Sequence, residues 1–150
     1  MPNELKFNIK YRVPIKIIFN ALTDQNEITK FTQCLAKFDK NIGGSFNFYD
    51  GFITGENQEI VENKKIVQKW KFNNWKDYGA IIFTFKEIQG NESLIGVHLK
   101  NIPERDIFNN IIDLKILENG FRSQIFQKIN DWLGYPLNND RDQSSDEEDN

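Results

Sequence analysis

The residues that could carry out chemistry in this chain are few and far apart in the sequence. His98 is its single histidine and Cys34 its single cysteine. One histidine supports neither a zinc site, which needs several protein ligands, nor a histidine-based catalytic triad. Acid pairs such as Asp77 with Glu87 occur in any chain of this length, and no pattern brings them into a shared dry pocket. The residue types therefore predict a protein that is not an enzyme, with no catalytic residue, metal site or cofactor.

His98 and Cys34 have simpler structural interpretations. In the stretch SLIGVHLK, His98 falls on the face of a strand opposite Val97 and Leu99, which predicts a solvent-exposed side chain. Cys34 lies near the start of a strand, where a small buried residue is commoner than a nucleophile. The Gly pair at 43–44 fits a turn, because neither Walker nor Rossmann spacing accompanies it.

Two serines near the C-terminus are candidate phosphorylation sites. Ser144 and Ser145 each have an acidic residue three positions on, which predicts a kinase site. Residues 139–150 hold six acids and one Arg, a net charge of −5. Such a composition cannot bury enough apolar surface to offset the entropy cost of ordering. Residues 137–150 are therefore predicted to form a disordered acidic tail.

The remaining charge and hydropathy exclude several classes of protein. Subtracting −5 from the total of −3 leaves +2 for residues 1–138. This near-neutral body predicts no nucleic-acid partner, since nucleic-acid binding needs clustered Lys and Arg. No stretch approaches ~18 consecutive apolar residues, so no membrane span is expected. A single cysteine and the absence of a secretory signal in the first thirty residues predict a cytoplasmic protein.

Hydrophobic periodicity predicts one α+β domain over residues 1–136. Residues 4–13 alternate apolar with polar side chains, which indicates a half-buried strand. Two short helices follow, starting at Pro14 and at Asp24. Six further strands are predicted from period-two alternation and the turns between them: 34–39, 45–50, 52–61, 64–73, 79–88 and 92–101.

The longest helical pattern comes last. Apolar residues recur at steps of three and four from Ile107 to Trp132, with Asp106 as the N-cap candidate and Gly134 as the C-cap candidate. Gly120 lies in the middle of this pattern, which leaves open a kink or a close backbone approach.

The order of these elements predicts how they pack. Two short helices cannot cover a curved antiparallel sheet of six or seven strands, so the long helix, residues 106–134, must lie across its concave face. This arrangement is the helix-grip fold. A sheet that closes around a helix usually leaves a gap along it, and such a gap can hold an apolar ligand.

A linked motif series runs from the first turn of the sheet to the loop after the fifth strand. It comprises a double Gly, an aromatic, Asp-Gly, Gly-Glu, and a Lys-Trp-x-Phe strand followed by a Trp: Gly43, Gly44, Phe46, Asp50, Gly51, Gly55, Glu56, Lys69, Trp70, Phe72 and Trp75. Further matches are Ile102-Pro103, Gly120 and the ending Trp132-Leu133-Gly134-Tyr135. Over residues 8–135 the chain resembles the C-terminal domain of activators of the heat-shock protein 90 ATPase, a START-like (SRPBCC) family.

This resemblance implies a co-chaperone-like protein of the cytoplasmic stress response that binds heat-shock protein 90 and modulates its ATPase. Full-length activators carry a separate N-terminal domain with an Asn-x-Asn-x-Trp-His-Trp signature, whereas this chain starts at the first strand of the C-terminal domain. The alternative function is the binding of a hydrophobic small molecule or lipid in the helix-grip cavity.

Candidate binding residues follow from these two functions. Trp75, in the polar loop NNWKDYG, suits either a partner-binding anchor or packing against the helix end. Lys69 and Lys71 share one strand face and form either a basic contact patch or a solvated surface. Asn57 and Gln68 face inward, where each needs a hydrogen-bond partner or water. The ten predicted cavity-lining residues are Phe46, Phe48, Asn57, Gln68, Trp70, Phe72, Phe83, Phe85, Phe121 and Ile125.

Overall fold

The computed structural model describes residues 3–89 and 91–134. Within these residues, seven strands form one antiparallel sheet in the order β1-β7-β6-β5-β4-β3-β2. The strands are β1 (Asn3–Tyr11), β2 (Lys37–Phe38), β3 (Ser45–Phe48), β4 (Ile53–Val61), β5 (Lys65–Phe72), β6 (Gly79–Ile88) and β7 (Glu92–Ile102). The predicted α+β helix-grip fold, with a curved antiparallel sheet and a long C-terminal helix, is confirmed.

Alternation along the strands gives the sheet an apolar and a polar face. The register pairs Ile66 with Phe83, Phe83 with Val97, and Val97 with Phe7. All four side chains are buried, so an apolar row crosses four strands on the inner face, which is the face toward the helices. Residues between them point to the outer face, which is the face away from the helices.

Two short helices follow β1, as the sequence predicts. They are α1 (Ile15–Thr23) and α2 (Gln25–Thr32). The Asp24 side chain caps α2, since its Oδ1 accepts hydrogen bonds from the backbone N–H groups of Asn26 and Glu27 at 2.8 and 3.2 Å. The strand expected at 34–39 is shorter than predicted and covers only the two residues of β2.

The C-terminal helix occupies Leu114 to Leu133 without a break. It consists of α3 (Leu114–Phe121), a π-helical turn (Arg122–Phe126) and α4 (Gln127–Leu133). Its buried apolar residues recur at helical spacing and face the sheet: Leu117, Phe121, Ile125, Phe126 and Ile129. Gly134 ends it with a φ of 77°, the left-handed conformation expected of a C-cap glycine.

The predicted start of this helix at Asp106 is wrong. Asp113 is the N-cap, because its Oδ1 accepts from the backbone N–H groups of Lys115 and Ile116 at 2.8 and 3.2 Å. Asn109 has a left-handed φ of 68°, which is incompatible with a helix through that position. The apolar spacing continues back to Ile107, but a second capping aspartate and the local backbone decide where the helix begins.

One buried hydroxyl joins the first strand to the π-helical turn. Tyr11 Oη donates a hydrogen bond of 2.7 Å to the carbonyl oxygen of Phe126. The Tyr11 side chain is 1% exposed, and burial raises the pKa of its hydroxyl well above the usual value, so the group remains a neutral donor.

Aromatic side chains fill the space between the helix and the inner face. The ring of Phe126 lies 6.3 Å from that of Phe7 and 6.2 Å from that of Phe83, both with edge-to-face geometry. The ring of Phe121 lies 5.1 Å from Trp70. Such pairs contribute about 0.5–1.5 kcal/mol each beyond the area that they bury, so this layer fixes the helix on the sheet.

No helix in residues 3–89 or 91–134 combines the length and hydropathy needed to cross a membrane.

Replacing Tyr11 with Phe should lower the free energy of unfolding by about 1 kcal/mol, because the buried Phe126 carbonyl loses its hydrogen-bond donor. Urea unfolding followed by circular dichroism measures the change. Tyr78→Phe is the matched control, since the Tyr78 side chain is 45% exposed. A Tyr11→Phe midpoint equal to that of the control would contradict a stabilising role for this hydrogen bond.

Candidate functional site

An open pocket lies beside the first half of the C-terminal helix. Its volume is about 600 Å³, within the range typical of small-molecule sites. Its wall is built from four segments: the turn between β3 and β4, the loop after β5, the loop of residues 104–113, and the helix from residue 116 to residue 125.

The floor of the pocket is aromatic and continuous with the core. Phe121 and Ile125 are each 2% exposed, and the ring centre of Phe72 lies 6.0 Å from that of Phe121. Trp75 extends this wall, with its ring centre 5.2 Å from Phe72. The floor is therefore fixed by contacts that the fold itself requires.

The mouth of the pocket carries exposed hydrophobic side chains. Phe52, Ile111 and Ile116 belong to the wall, yet they are 48%, 71% and 69% exposed. We call these three the lip residues. Contiguous exposed apolar groups around a concave surface are a mark of ligand or partner binding.

The loop of residues 104–113 is held in place by the carboxylate of Asp106. Its Oδ1 accepts from the backbone N–H groups of Phe108 and Asn110, both at 2.9 Å, and its Oδ2 accepts from Asn74 Nδ2 at 3.2 Å. The backbone N–H of Ile107 also donates to the Asn74 carbonyl at 2.9 Å. The hydrogen bond from the Asn110 backbone is the main cause of a lowered pKa at Asp106, so this carboxylate is ionised at neutral pH.

A second carboxylate, Asp113, stands in the same wall at the N-terminus of α3. Both of its hydrogen bonds to the first turn of the helix use Oδ1. Among the described residues that line the pocket, Asp106 and Asp113 are the charged side chains, and no Lys, Arg or His joins them. The charged part of the wall is therefore anionic.

Gly120 contributes a gap to the helical side of the pocket. An added Cβ at this position would have no atom within 4 Å, so the close backbone approach, one of the two possibilities left open for Gly120, is absent. The helix departs from α geometry two residues later, in the π-helical turn that begins at Arg122.

Tyr49 joins the pocket wall to that turn. Its hydroxyl donates a hydrogen bond to the carbonyl oxygen of Gln124. Burial, assisted by the nearby Cys34, raises the pKa of Tyr49 to about 12. The hydroxyl is thus neutral and already engaged with the protein.

The structure places the ten predicted cavity-lining residues in two groups. Phe72, Phe121 and Ile125 lie in the wall of this pocket. The other seven lie outside this wall and are buried in the core: Phe46, Phe48, Asn57, Gln68, Trp70, Phe83 and Phe85. The middle of the sheet is filled because its rings meet those of the helix directly, so the open space lies at the end where α3 begins.

The two inward-facing amides satisfy each other. Trp70 Nε1 donates to Gln68 Oε1 at 2.6 Å, Gln68 Nε2 donates to Asn57 Oδ1 at 2.8 Å, and Asn57 Nδ2 donates to the carbonyl of Asp39 at 2.6 Å. Asn57 and Gln68 are 0% and 2% exposed. This chain of hydrogen bonds offsets the cost of burying two amides in the core.

Of the two interpretations of Trp75, an exposed anchor and packing, the structure favours packing. Its side chain is 5% exposed, and an added Cβ at Gly79 would lie 3.3 Å from its Cζ3 atom. The indole therefore packs over a position that has no side chain, which the polar composition of the loop did not reveal. Packing, the alternative interpretation, accounts for its burial.

Lys69 and Lys71 lie on the outer face around one aromatic ring. Their Nζ atoms are 5.5 and 5.2 Å from the ring centre of Tyr78, and Lys69 Nζ is also 3.9 Å from Glu56 Oε1. Within residues 3–89 and 91–134, the strands project eight lysines and four glutamates onto this face: Lys6, Lys10, Lys37, Lys65, Lys69, Lys71, Lys86 and Lys100 against Glu4, Glu56, Glu59 and Glu92. The outer face is therefore basic.

His98 lies on the outer face, as predicted, with its Nε2 atom 2.7 Å from Glu4 Oε1. This hydrogen bond is the main cause of a lowered pKa at Glu4. Cys34 is partly exposed. The described residues contain no cluster of His, Cys, Asp and Glu that could hold a metal ion. Ser144, Ser145 and the acidic segment 137–150 lie outside the described residues.

The sequence interpretation missed the residues that make the mouth of the pocket. Ile111 fits the apolar stripe of the long helical pattern, and Ile116 falls between two members of that stripe, Leu114 and Leu117. Asp106 and Asp113 both have the character of N-caps, and the Asn pair 109–110 between them indicates a turn. Two capping signals seven residues apart were the available sign of a loop in this region.

Comparison with known proteins yields consistent matches. Residues 12–134 match the family model described as "Activator of Hsp90 ATPase homolog 1-like protein". The human "Activator of 90 kDa heat shock protein ATPase homolog 1" is 32% identical over 79 residues, which cover 51% of this chain and 23% of that protein. A Dictyostelium discoideum protein, "Activator of 90 kDa heat shock protein ATPase homolog", is 26% identical over 133 residues, which cover 87% of this chain and 33% of that protein.

Among solved structures, an HSP90 activator from Plasmodium falciparum superposes with a TM-score of 0.84 at 33% identity. The match covers 89% of this chain and 98% of that one. In contrast, the chain spans about a quarter to a third of the length of the curated relatives above.

Gly120→Ala should raise the free energy of unfolding by about 0.5–1 kcal/mol, because alanine is the better helix former and its methyl group enters open space. Gly55→Ala is the contrasting control, since a Cβ there would clash with the Lys69 carbonyl and the Phe46 ring, at a cost of about 1–3 kcal/mol. Urea unfolding measures both changes. Destabilisation by Gly120→Ala would mean that the space beside Gly120 is not open.

Proposed function

Because the chain belongs to the family of activator of Hsp90 ATPase homologue 1-like proteins, we propose that it binds heat-shock protein 90 and modulates the ATPase of that chaperone. The observation that carries this proposal is the match to the HSP90 activator from Plasmodium falciparum, of which this chain covers 98% at 33% identity. The protein acts without a catalytic group of its own, in the cytoplasm and in the response to stress.

A binding protein changes the rate of an ATPase by preferring one of its conformations. The shift in the conformational equilibrium of the ATPase is set by the difference in binding free energy between the two states. A protein that bound both states equally well would not change this equilibrium. Preference for the closed state of the ATPase domains therefore accounts for stimulation. The aromatic layer between the helix and the inner face gives a rigid body for such docking, since little conformational entropy remains to be lost on binding.

We assign the docking surface to the outer face near Tyr78. Lys69 and Lys71 flank this partly exposed ring, with Nζ atoms 5.5 and 5.2 Å from its centre. Tyrosine is one of the residue types that are enriched at energetically important positions in interfaces. Excess positive charge on this face fits an acidic surface on the chaperone, which would raise the rate of association.

A pull-down of the chaperone by this protein, without nucleotide and with a non-hydrolysable ATP analogue, tests the proposal, together with an assay of chaperone ATPase. Binding is expected to be stronger with the analogue, since it favours the closed state. Absence of association under both conditions would overturn the proposed function.

Lys71→Glu should weaken chaperone binding about fivefold to tenfold, mainly through slower association, because it reverses a charge at the edge of the docking surface. Lys86→Glu is the matched control. It reverses another lysine of the same face, about 26 Å away along the strands. Surface plasmon resonance at two salt concentrations measures both. If the two variants had equal effects, the assignment of the docking surface to Lys69, Lys71 and Tyr78 would be wrong. The proposal that the protein binds the chaperone would not be affected.

The pocket supports a second function, the binding of an apolar small molecule. Its volume of about 600 Å³ and its apolar floor suit a ligand with an extended or flat hydrocarbon part. The lip residues would cover such a ligand from solvent. This function is compatible with chaperone binding, since the pocket and the outer face lie on opposite sides of the sheet.

Gly120→Met should abolish the binding of dodecanol, because a flexible thioether side chain would occupy the gap in the pocket wall. Gly120→Ala is the control at the same position and should retain most of the affinity. A change in tryptophan fluorescence during titration reports occupancy, since Trp75, one of the three tryptophans, is part of the wall. Equal affinities in wild type and Gly120→Met would place any dodecanol binding elsewhere.

A further inference from the structure

The charged side chains in the wall of the pocket are both acidic. Asp106 and Asp113 both belong to its wall, and the described lining residues include no Lys, Arg or His. The hydrogen bonds of Asp106 lower its pKa, which keeps its negative charge at neutral pH. A ligand head group that enters this space therefore meets two carboxylates and no compensating cation.

We infer that the pocket selects an apolar ligand with a positively charged head group, such as an aliphatic amine, over a fatty acid or a neutral alcohol. This inference rests on the second proposed function, the binding of an apolar small molecule. It concerns the chemical class of the ligand and is independent of chaperone binding.

Spare acceptor capacity supports an ammonium group. Oδ1 of Asp113 accepts both of the hydrogen bonds that this side chain makes, from the backbone N–H groups of Lys115 and Ile116. Among the described residues, its Oδ2 has no protein partner. An ammonium carries three donors and no acceptor. A hydrogen bond between an ammonium and a carboxylate is charge-assisted and roughly twice as strong as a neutral one.

Aromatic rings in the wall act in the same direction. Phe52, Phe72, Trp75 and Phe121 all line the pocket, and the faces of aromatic rings carry negative potential. A cation held within about 6 Å of such a face is attracted to it, whereas a carboxylate is repelled. The hydrocarbon part of the ligand gains the same apolar contacts in either case.

The N-terminus of α3 is the one feature that would favour an anion. Asp113 already caps this end, since its carboxylate accepts from the first-turn N–H groups of Lys115 and Ile116. Other donors in the wall are neutral or engaged: the Tyr49 hydroxyl donates to the Gln124 carbonyl, and the Asn74 amide donates to Asp106. A fatty acid would therefore find no cationic partner in the wall, and its carboxylate would be repelled by Asp106 and Asp113.

The test compares three ligands that share a twelve-carbon chain: dodecylamine, dodecanol and laurate, each below its micelle concentration at neutral pH. Isothermal titration calorimetry and tryptophan fluorescence measure their dissociation constants. We expect dodecylamine to bind about fivefold to tenfold more tightly than dodecanol, and laurate more weakly than either. Added salt should reduce the difference between the amine and the alcohol.

Asp106→Asn with Asp113→Asn removes both charges and keeps the backbone hydrogen bonds that the two Oδ1 atoms accept, since asparagine has one acceptor oxygen and is a good N-cap. At position 106 the amide nitrogen replaces Oδ2, so the hydrogen bond with Asn74 is kept when the Asn74 amide turns its oxygen toward it. The double variant should bind dodecylamine within about twofold of dodecanol. Glu62→Gln is the control for charge alone, because Glu62 lies at the β4–β5 turn, far from the pocket. It should retain the wild-type preference.

Each outcome has a distinct meaning. If none of the three ligands binds, the proposed small-molecule function fails. If dodecanol binds and laurate binds equally or better than the amine, the pocket function stands and the inferred ligand class is overturned. The inference is also overturned if the double variant keeps the preference for the amine, because the two carboxylates would then not cause it. It is likewise overturned if dodecylamine binds Gly120→Met as tightly as it binds the wild type, because the amine would then bind to the acidic surface outside the pocket.

Discussion

The clasp between the C-terminal helix and the inner face of the sheet is the contact on which the rest of the molecule depends. Tyr11 spans from the first strand to the carbonyl of Phe126 at 2.7 Å, and the rings of Phe121 and Phe126 fill the space between. Because β1 pairs with β7, the last strand, this single layer couples the two ends of the domain. A buried donor that lost its acceptor would cost more free energy than the hydrogen bond itself contributes to stability. This contact therefore stabilises the fold and also disfavours other positions of the helix on the sheet.

The same clasp explains where the open space lies. The second half of the helix, from the π-helical turn onward, meets the sheet through interlocking rings. The first half begins only at Leu114, after a loop that folds back on itself through Asp106. That loop stands beside the helix without filling the space under it, and the pocket of about 600 Å³ results. The pocket is thus a consequence of where the helix begins.

Much of this architecture could be predicted from hydrophobic periodicity. The seven strands, both short helices and the C-cap at Gly134 follow from alternation, capping and turn residues, which are local signals. The start of the last helix could not be predicted in this way, because Ile107 and Ile111 continue its apolar period while a left-handed Asn109 prevents its geometry. The burial of Trp75 depends on Gly79, a residue from the next strand. The wall of the pocket depends on contacts between loops, which single-sequence patterns do not encode.

The two margins of the sheet have different properties. β2 is two residues long, too short to present a row of free backbone groups, whereas β1 runs for nine residues at the opposite margin. Unpaired backbone groups on a long edge invite a strand from another molecule to add to the sheet. Lys6 and Lys10 project from β1 between buried positions, and lysines on an edge strand oppose the addition of another strand. The two lysines on β1 therefore disfavour edge-to-edge aggregation at the long edge of the sheet.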